Sequence, residues 1–146
     1  MAHETGVHLW LILMKAHEAL RQHAIRHVQT LGIGFSDFAV LEVLLHKGPT
    51  PVNEIGRRVR LTSGSITAAV DRLERKGLVE RHGDPADRRT RMVHLTAAGR
   101  QLISTAFAEH SLAMERATAG LTPEERAEAA ALLKKLGRSA EASLEE

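Results

Sequence analysis

Apolar residues recur at helical spacing along most of the 146-residue chain, and one central stretch departs from that period. From about Thr5 to Leu31, Trp10, Leu13, His17, Leu20, Ala24 and either His27 or Val28 share one side, which predicts a helix long for a chain of this size. "GIGFS" breaks it, and Ser36 then reads as the N-cap of "DFAVLEVLLHK", where Phe38, Leu41 and Val43 to Leu45 supply apolar contacts. Gly48 and Pro49 end that segment. A short third helix is predicted over Val52 to Val59, because Pro51 suits a first turn and Ile55 and Val59 lie four apart on one face. A fourth covers about Ser63 to Lys76, with Ile66, Val70 and Leu73 as its inward stripe, Ala69 close by and Gly77 as its stop.

The period then changes. "LVER" and "TRMVHLT" predict two antiparallel strands joined by the tip "HGDPADRR", where Gly83 and Pro85 fit a turn. Thr96 can cap a second long helix from about Ala97 to Ala119, and "LTPEE" is a capping signature, with Thr122 as cap, Pro123 first and Glu125 three residues on. It opens a last helix to about Ala140. The order predicts a mainly α fold with a small antiparallel β-hairpin wing: a winged helix-turn-helix with long N- and C-terminal dimerisation helices. Residues 1–35 are the N-terminal dimerisation helix, 36–96 the winged helix-turn-helix DNA-binding module and 97–146 the C-terminal dimerisation helices. Trp10, Leu13, Leu20 and Val28, with Leu102, Phe107, Leu112, Leu132, Leu133 and Leu136, exceed what one winged domain covers, so a homodimer is expected.

Composition narrows the chemistry. With 43% hydrophobic but only 3% aromatic residues, the core is aliphatic, and the lack of cysteine excludes thiolate chemistry, disulfides and Cys-based zinc sites. The N-terminal apolar run is broken by Lys15 and His17 and has no basic leader, so neither a signal peptide nor a membrane span is expected and the chain reads as cytoplasmic. Net charge is only +2, yet residues 51–100 hold eleven Lys/Arg against six Asp/Glu, while residues 1–50 balance and residues 101–146 hold five against eight. A positive middle between neutral and acidic arms suits a segment that faces a polyanion, here double-stranded DNA.

The residues in that middle have roles that DNA chemistry suggests. Short polar side chains at the front of a helix let its backbone approach base edges in the major groove, which nominates Thr62, Ser63, Ser65 and Thr67, with Ser63 either a contact or the helix cap. Arg72, farther along, is a candidate for a bidentate guanine contact or a phosphate clamp. Arg88 and Arg89 sit at a hairpin tip that can reach the minor groove, and Asp87 is expected to brace one arginine fork. Arg57, with Arg58 and Arg60, borders the turn and is expected to meet phosphates. Arg81 and Arg91 are expected opposite each other across the hairpin, their repulsion relieved by a polyanion.

Enzyme chemistry finds no support. His23 and His27, four apart, could share a zinc or nickel ion with a third group, but no carboxylate pattern completes a site. "LTSGSI" lacks the glycine spacing and lysine of a phosphate loop. No catalytic residue, metal site or cofactor is assigned.

The run from "DFAVLEVLLHK" through "LTSGSITAAVDRLERKGLVER", the wing "DPADRRTRMVHLT" and the following "AAGRQL" closely resembles the MarR family of bacterial transcriptional regulators, over essentially the whole chain. The resemblance implies a homodimer that binds a short pseudo-palindrome, usually represses, and is released by a small, often phenolic or aromatic, ligand. The wing here reads Asp84, Pro85, Ala86, Asp87, Arg88, Arg89 and lacks the first arginine of the pattern many family wings carry, so Arg88 or Arg89 would serve the minor groove. The resemblance places effector pockets between the dimerisation helices and the winged module, which brings in Trp10, Met14, His17, His27, Phe35, Asp37 and Phe38 as walls and polar anchors. The rival expectation is a winged-helix dimer used as a protein-interaction or ligand-sequestering module without specific DNA binding. "RRVR" and "DRRTR" count against it.

Overall fold

The computed structural model describes residues 3–87 and 89–145. Its elements follow the order α1 (Gly6–Gln29), α2 (Phe35–Lys47), β1 (Thr50–Pro51), α3 (Val52–Val59), α4 (Ser63–Arg75), β2 (Val79–Gly83), β3 (Arg91–Leu95), α5 (Ala97–Ala117) and α6 (Pro123–Ser143). This is the winged helix-turn-helix that the sequence pattern predicts.

Local signals explain most boundaries. Thr96 accepts a hydrogen bond from the backbone N–H of Gly99, and Thr122 forms a capping box with Glu125 behind Pro123. Two predicted caps are corrected. α2 starts one residue before Ser36, with Gly34 as an extended N-cap that makes no side-chain bond. Glycine serves that position nearly as well as a hydroxyl residue, so Ser36 falls inside the first turn. Likewise Thr62, not Ser63, caps α4: its hydroxyl oxygen accepts from Ser65 N at 3.2 Å. The tight link from α3 turns at Arg60, at φ 58° the one non-glycine residue with positive φ among the described residues, and Leu61 N donates to Gly56 O at 2.9 Å.

The sheet has three strands in the order β1-β3-β2, all antiparallel. β1 is an addition to the predicted hairpin: Thr50 and Pro51 pair with Val93 and Met92. Arg81 pairs with Val93, and Arg91 with Gly83, which overturns the expected Arg81–Arg91 pairing. The bond from Asp84 N to Thr90 O at 3.0 Å closes the hairpin in that register.

One core lies under the sheet. It joins Phe38, Val40, Leu41 and Leu44 of α2, Ile55 of α3, the predicted stripe Ile66, Ala69, Val70 and Leu73 of α4, and Val79 and Val93 of the wing. Only the last turns of α1, through Ala24 and Val28, and the first half of α5, through Ile103 and Ala106, enter it or border it. The beginning of α5 is seated tightly: Thr96 donates its N–H to Leu78 O and its hydroxyl to Gly77 O. A β-carbon on Gly99 would fall 1.9 Å from Leu78 O, so only glycine fits there without a shift. By contrast, α6 buries no residue, and Val7, Trp10, Ile12 and Met14 of α1 stand exposed, as do Leu132 and Leu133 of α6.

Candidate nucleic-acid interface

The leading end of α4 is polar and exposed, and it lies within the basic segment. Ile66, Ala69, Val70 and Leu73 take the inner face, which leaves Thr62, Ser63, Gly64, Ser65 and Thr67 outside. Their hydroxyls are pre-arranged by the helix itself. Thr62 donates to Ser65 Oγ at 3.0 Å, so the Ser65 proton can point outward, and Thr67 donates to Ser63 O at 2.8 Å, which leaves its oxygen free to accept. Gly64 has open space around it, with nothing within 4 Å of the position a β-carbon would take.

Basic groups flank this end. Arg57 and Arg60 are exposed on one side, at the close of α3 and in the turn; Arg58 between them is engaged by Glu54 at 3.0 Å. On the other side the wing tip carries Arg89, exposed, followed by Arg91 on β3. Arg88 lies outside the described residues. The tip is stiffened by carboxylates acting on backbone: Asp84 accepts from Ala86 N, and Asp87 accepts from Arg89 N and from the Thr90 hydroxyl. Asp87 therefore braces the turn that presents Arg89, where a braced guanidinium was expected. Thr67, Arg81, Arg89, Thr90 and Arg91 line an open trough between α4 and the wing.

Arg72 is occupied differently from either role the sequence suggested. Its Nη2 and Nε donate to Asp37 Oδ1 and Oδ2 at 2.8 and 3.2 Å. The Asp37 side chain is 3% exposed, so the fork of Arg72 is committed to holding a buried carboxylate, and Arg72 remains 45% exposed at its other edge. The charge of Arg72 was visible in the sequence; its partner, 35 residues earlier, was not.

Of the candidate ligand residues, His27 and Phe38 share a neighbour in His110, and the others stand apart. Trp10, Met14 and His17 lie exposed on α1, Phe35 is half-exposed, and Asp37 and Phe38 are buried. Trp10 instead shares an open apolar groove with Leu9, Leu13, Leu133 and Leu136, between α1 and α6. A cluster that sequence reasoning missed stands where α1, α2 and α5 meet: the His110 ring lies 5.3 Å from Phe38, 5.8 Å from His27 and 6.5 Å from Phe107. His27 Nε2 is 3.2 Å from Ala106 O, while His110 Nδ1 is buried with no partner, and burial lowers the His110 pKa. The spacing of Ile103, Ala106, Phe107 and His110 along one face of α5 was the available signal.

Known proteins match this arrangement. The MarR family model matches residues 31–90. The HTH-type transcriptional regulator YkoM of Bacillus subtilis is 37% identical over 134 residues, covering 92% of this chain and 87% of its own. The chain belongs to the MarR family. A second Bacillus subtilis member, the HTH-type transcriptional regulator MhqR, is 35% identical over 137 residues and covers 94% of each chain. Among solved structures, a MarR mutant from E. coli complexed with operator DNA superposes with a TM-score of 0.79 at 26% identity, covering 88% of this chain and 92% of that one. A probable transcriptional regulator from Pseudomonas aeruginosa gives 0.76 at 29%, covering 86% and 94%. This MarR-family chain is thus a DNA-binding transcriptional regulator and not an enzyme. Among its described residues no helix is long and apolar enough to cross a membrane.

Proposed function

We propose that the protein is a homodimeric, sequence-specific repressor that binds a pseudo-palindromic operator and is released by a small aromatic or phenolic ligand. The observation that carries the DNA half is the bare polar front of α4 between two sets of exposed arginines, Arg57 and Arg60 on one side and Arg89 and Arg91 on the other. In this reading Ser63, Ser65 and Thr67 face base edges, Thr62 caps and lies near a phosphate, Arg57 neutralises the backbone, and Arg88 and Arg89 enter the minor groove. Arg72 supports the surface from behind through Asp37.

The dimer half draws its support from the apolar residues of α1 and α6 that a single chain leaves uncovered. On that basis residues 1–35 and 97–146 are dimerisation arms around the 36–96 reading module. Two modules related by a two-fold axis call for a two-fold symmetric target. The ligand half rests on the family. Of the expected pocket residues, His27 and Phe38 both stand in the ring cluster with Phe107 and His110.

Selection of bound duplexes from a random library at about 150 mM salt tests the reading directly. Recovery of a short inverted repeat is expected. Retention of no sequence over random DNA would overturn it in favour of a protein-interaction or ligand-sequestering dimer.

A further inference from the structure

The wing and the recognition helix α4 are joined by more than the short link through Gly77. Asp71 and Glu74 lie three apart, and so on one helical face, the one that also carries Thr67 toward the trough. Arg81, in the middle residue pair of the hairpin, reaches both: Nη2 donates to Asp71 Oδ1 at 2.7 Å and Nη1 to Glu74 Oε1 at 3.3 Å. Its backbone N–H also donates to Glu74 Oε2 at 3.2 Å. The Arg81 side chain is 20% exposed, the most enclosed arginine of the ion pairs among the described residues. It therefore ties β2 to α4 through a side chain and a backbone group at once.

We propose that Arg81 is a positioning residue that docks the wing onto the recognition helix and so sets the distance between the helix in the major groove and the tip in the minor groove. The proposal rests on the DNA-binding reading above. Charge separates Arg81 from its neighbours. One guanidinium between two carboxylates leaves a local charge of −1, so a DNA phosphate gains nothing by approaching it. Arg91, across the same trough, is exposed and enters no ion pair among the described residues, so it is available to a phosphate. Two arginines of one cavity thus have opposite assignments: Arg81 is internal and Arg91 faces DNA.

Removing a DNA-contacting cation lowers the slope of log affinity against log salt by about 0.9 for each phosphate released and leaves the other contacts in place, whereas removing a positioning cation releases the contacts of the element it positions. The full-length protein and its Arg81→Met, Arg81→Lys and Asp71→Asn/Glu74→Gln variants are titrated, at several salt concentrations, with a duplex selected by the wild type. Groove protection is mapped by guanine methylation and minor-groove cleavage. Arg81→Met should bind about tenfold more weakly and lose minor-groove protection at the flanks, with the fall in salt slope that release of the wing arginines brings, while keeping the central major-groove protection. Arg81→Lys should recover part of the loss, and the double variant should lose the flank protection as well. A lowered slope with the minor-groove protection intact overturns the proposal in favour of a phosphate contact. Equal loss of both protections together with a lowered melting temperature overturns it in favour of general stability.

Hydrogen exchange of the β2 and β3 amides, measured without DNA, judges the docking separately. Arg81→Met should raise exchange there while the α1 and α5 amides stay unchanged, and unchanged wing exchange overturns the clamp. If the wild type selects no duplex, the functional reading fails, and the exchange result still decides whether Arg81 holds the wing.

Discussion

Arg72 closes on both carboxylate oxygens of Asp37, so the third turn of α4 is tied to the first turn of α2. Truncation to Ala strands a nearly buried carboxylate, whereas Asp37→Asn leaves a neutral amide that can still accept. Because Arg72 is nearly half exposed, the pair is screened on that side. Arg72→Ala is expected to lower unfolding stability by about 1–2 kcal/mol and Asp37→Asn by less. A urea-melt double-mutant cycle should show coupling of at least about 0.5 kcal/mol. Additive losses would mean that the two groups are neighbours without being partners.

Gly64 separates stability from recognition. It lies in the first turn of α4 with open space around its α-carbon. Gly64→Ala should raise the melting temperature, since alanine is favoured over glycine in a helix by up to about 1 kcal/mol. The added methyl group would stand between the helix backbone and the bases, so operator affinity should fall by tenfold or so. Unchanged affinity in a filter-binding titration would move the α4 front away from the DNA.

Gly99 behaves in the opposite sense. A β-carbon there meets the Leu78 carbonyl at 1.9 Å, and the obstacle is backbone, which yields little. Gly99→Ala is expected to cost about 3 kcal/mol or to abolish folding, against a gain of up to about 1 kcal/mol for the same change at the uncrowded Gly137 inside α6. Circular-dichroism melts of the two variants give the comparison.

The bare face of α6 predicts an association defect without a folding defect. Leu136 is 39% exposed in the single chain and lies in the α1–α6 groove with Trp10. Leu136→Glu should shift light-scattering mass from a dimer toward the 16.0 kDa chain and retain helical circular dichroism. Persistence of the dimer would place its interface elsewhere.

His110 supplies the pH dependence. Burial lowers its folded pKa below the ordinary value, with Glu42 opposing and His27 reinforcing the shift. The unfolded chain therefore takes up the proton first as pH falls. Stability tied to this residue is intact above about pH 6.5, the unfolded value, and is lost as pH falls through the folded pKa. Urea midpoints measured on both sides of that range should drop on acidification, and His110→Leu should flatten the drop. An equal drop in the variant would assign the effect to other histidines.

What could be read from the sequence follows from how far each determinant reaches along the chain. The Val52–Val59 helix and the Thr122–Glu125 capping box depend on residues within one turn, and both were legible. β1 was not, because two residues, Thr50 and Pro51, become a strand only through pairing with Val93 and Met92. The same limit applies to the site. The front of α4 and the basic wing were visible as residue types in order. The commitments of Arg72 and Arg81 to Asp37, Asp71 and Glu74 were not, since a charge in a sequence does not say which opposite charge the fold brings to it. The candidate ligand residues Trp10, Met14 and His17 on α1 stay apart from Phe38 for a related reason: the spacing of α1 says which side is apolar, but a single chain leaves most of that side uncovered.

The seat of α5 against Leu78 makes that helix a lever with almost no backlash. Its 21 residues span roughly 30 Å at about 1.5 Å each, so a tilt of about 10° at one end displaces the other by about 5 Å. That exceeds the 3.4 Å or so between successive base pairs. A slight rotation among the arms would therefore carry a reading head off its register by more than a whole step, with no change inside the head itself.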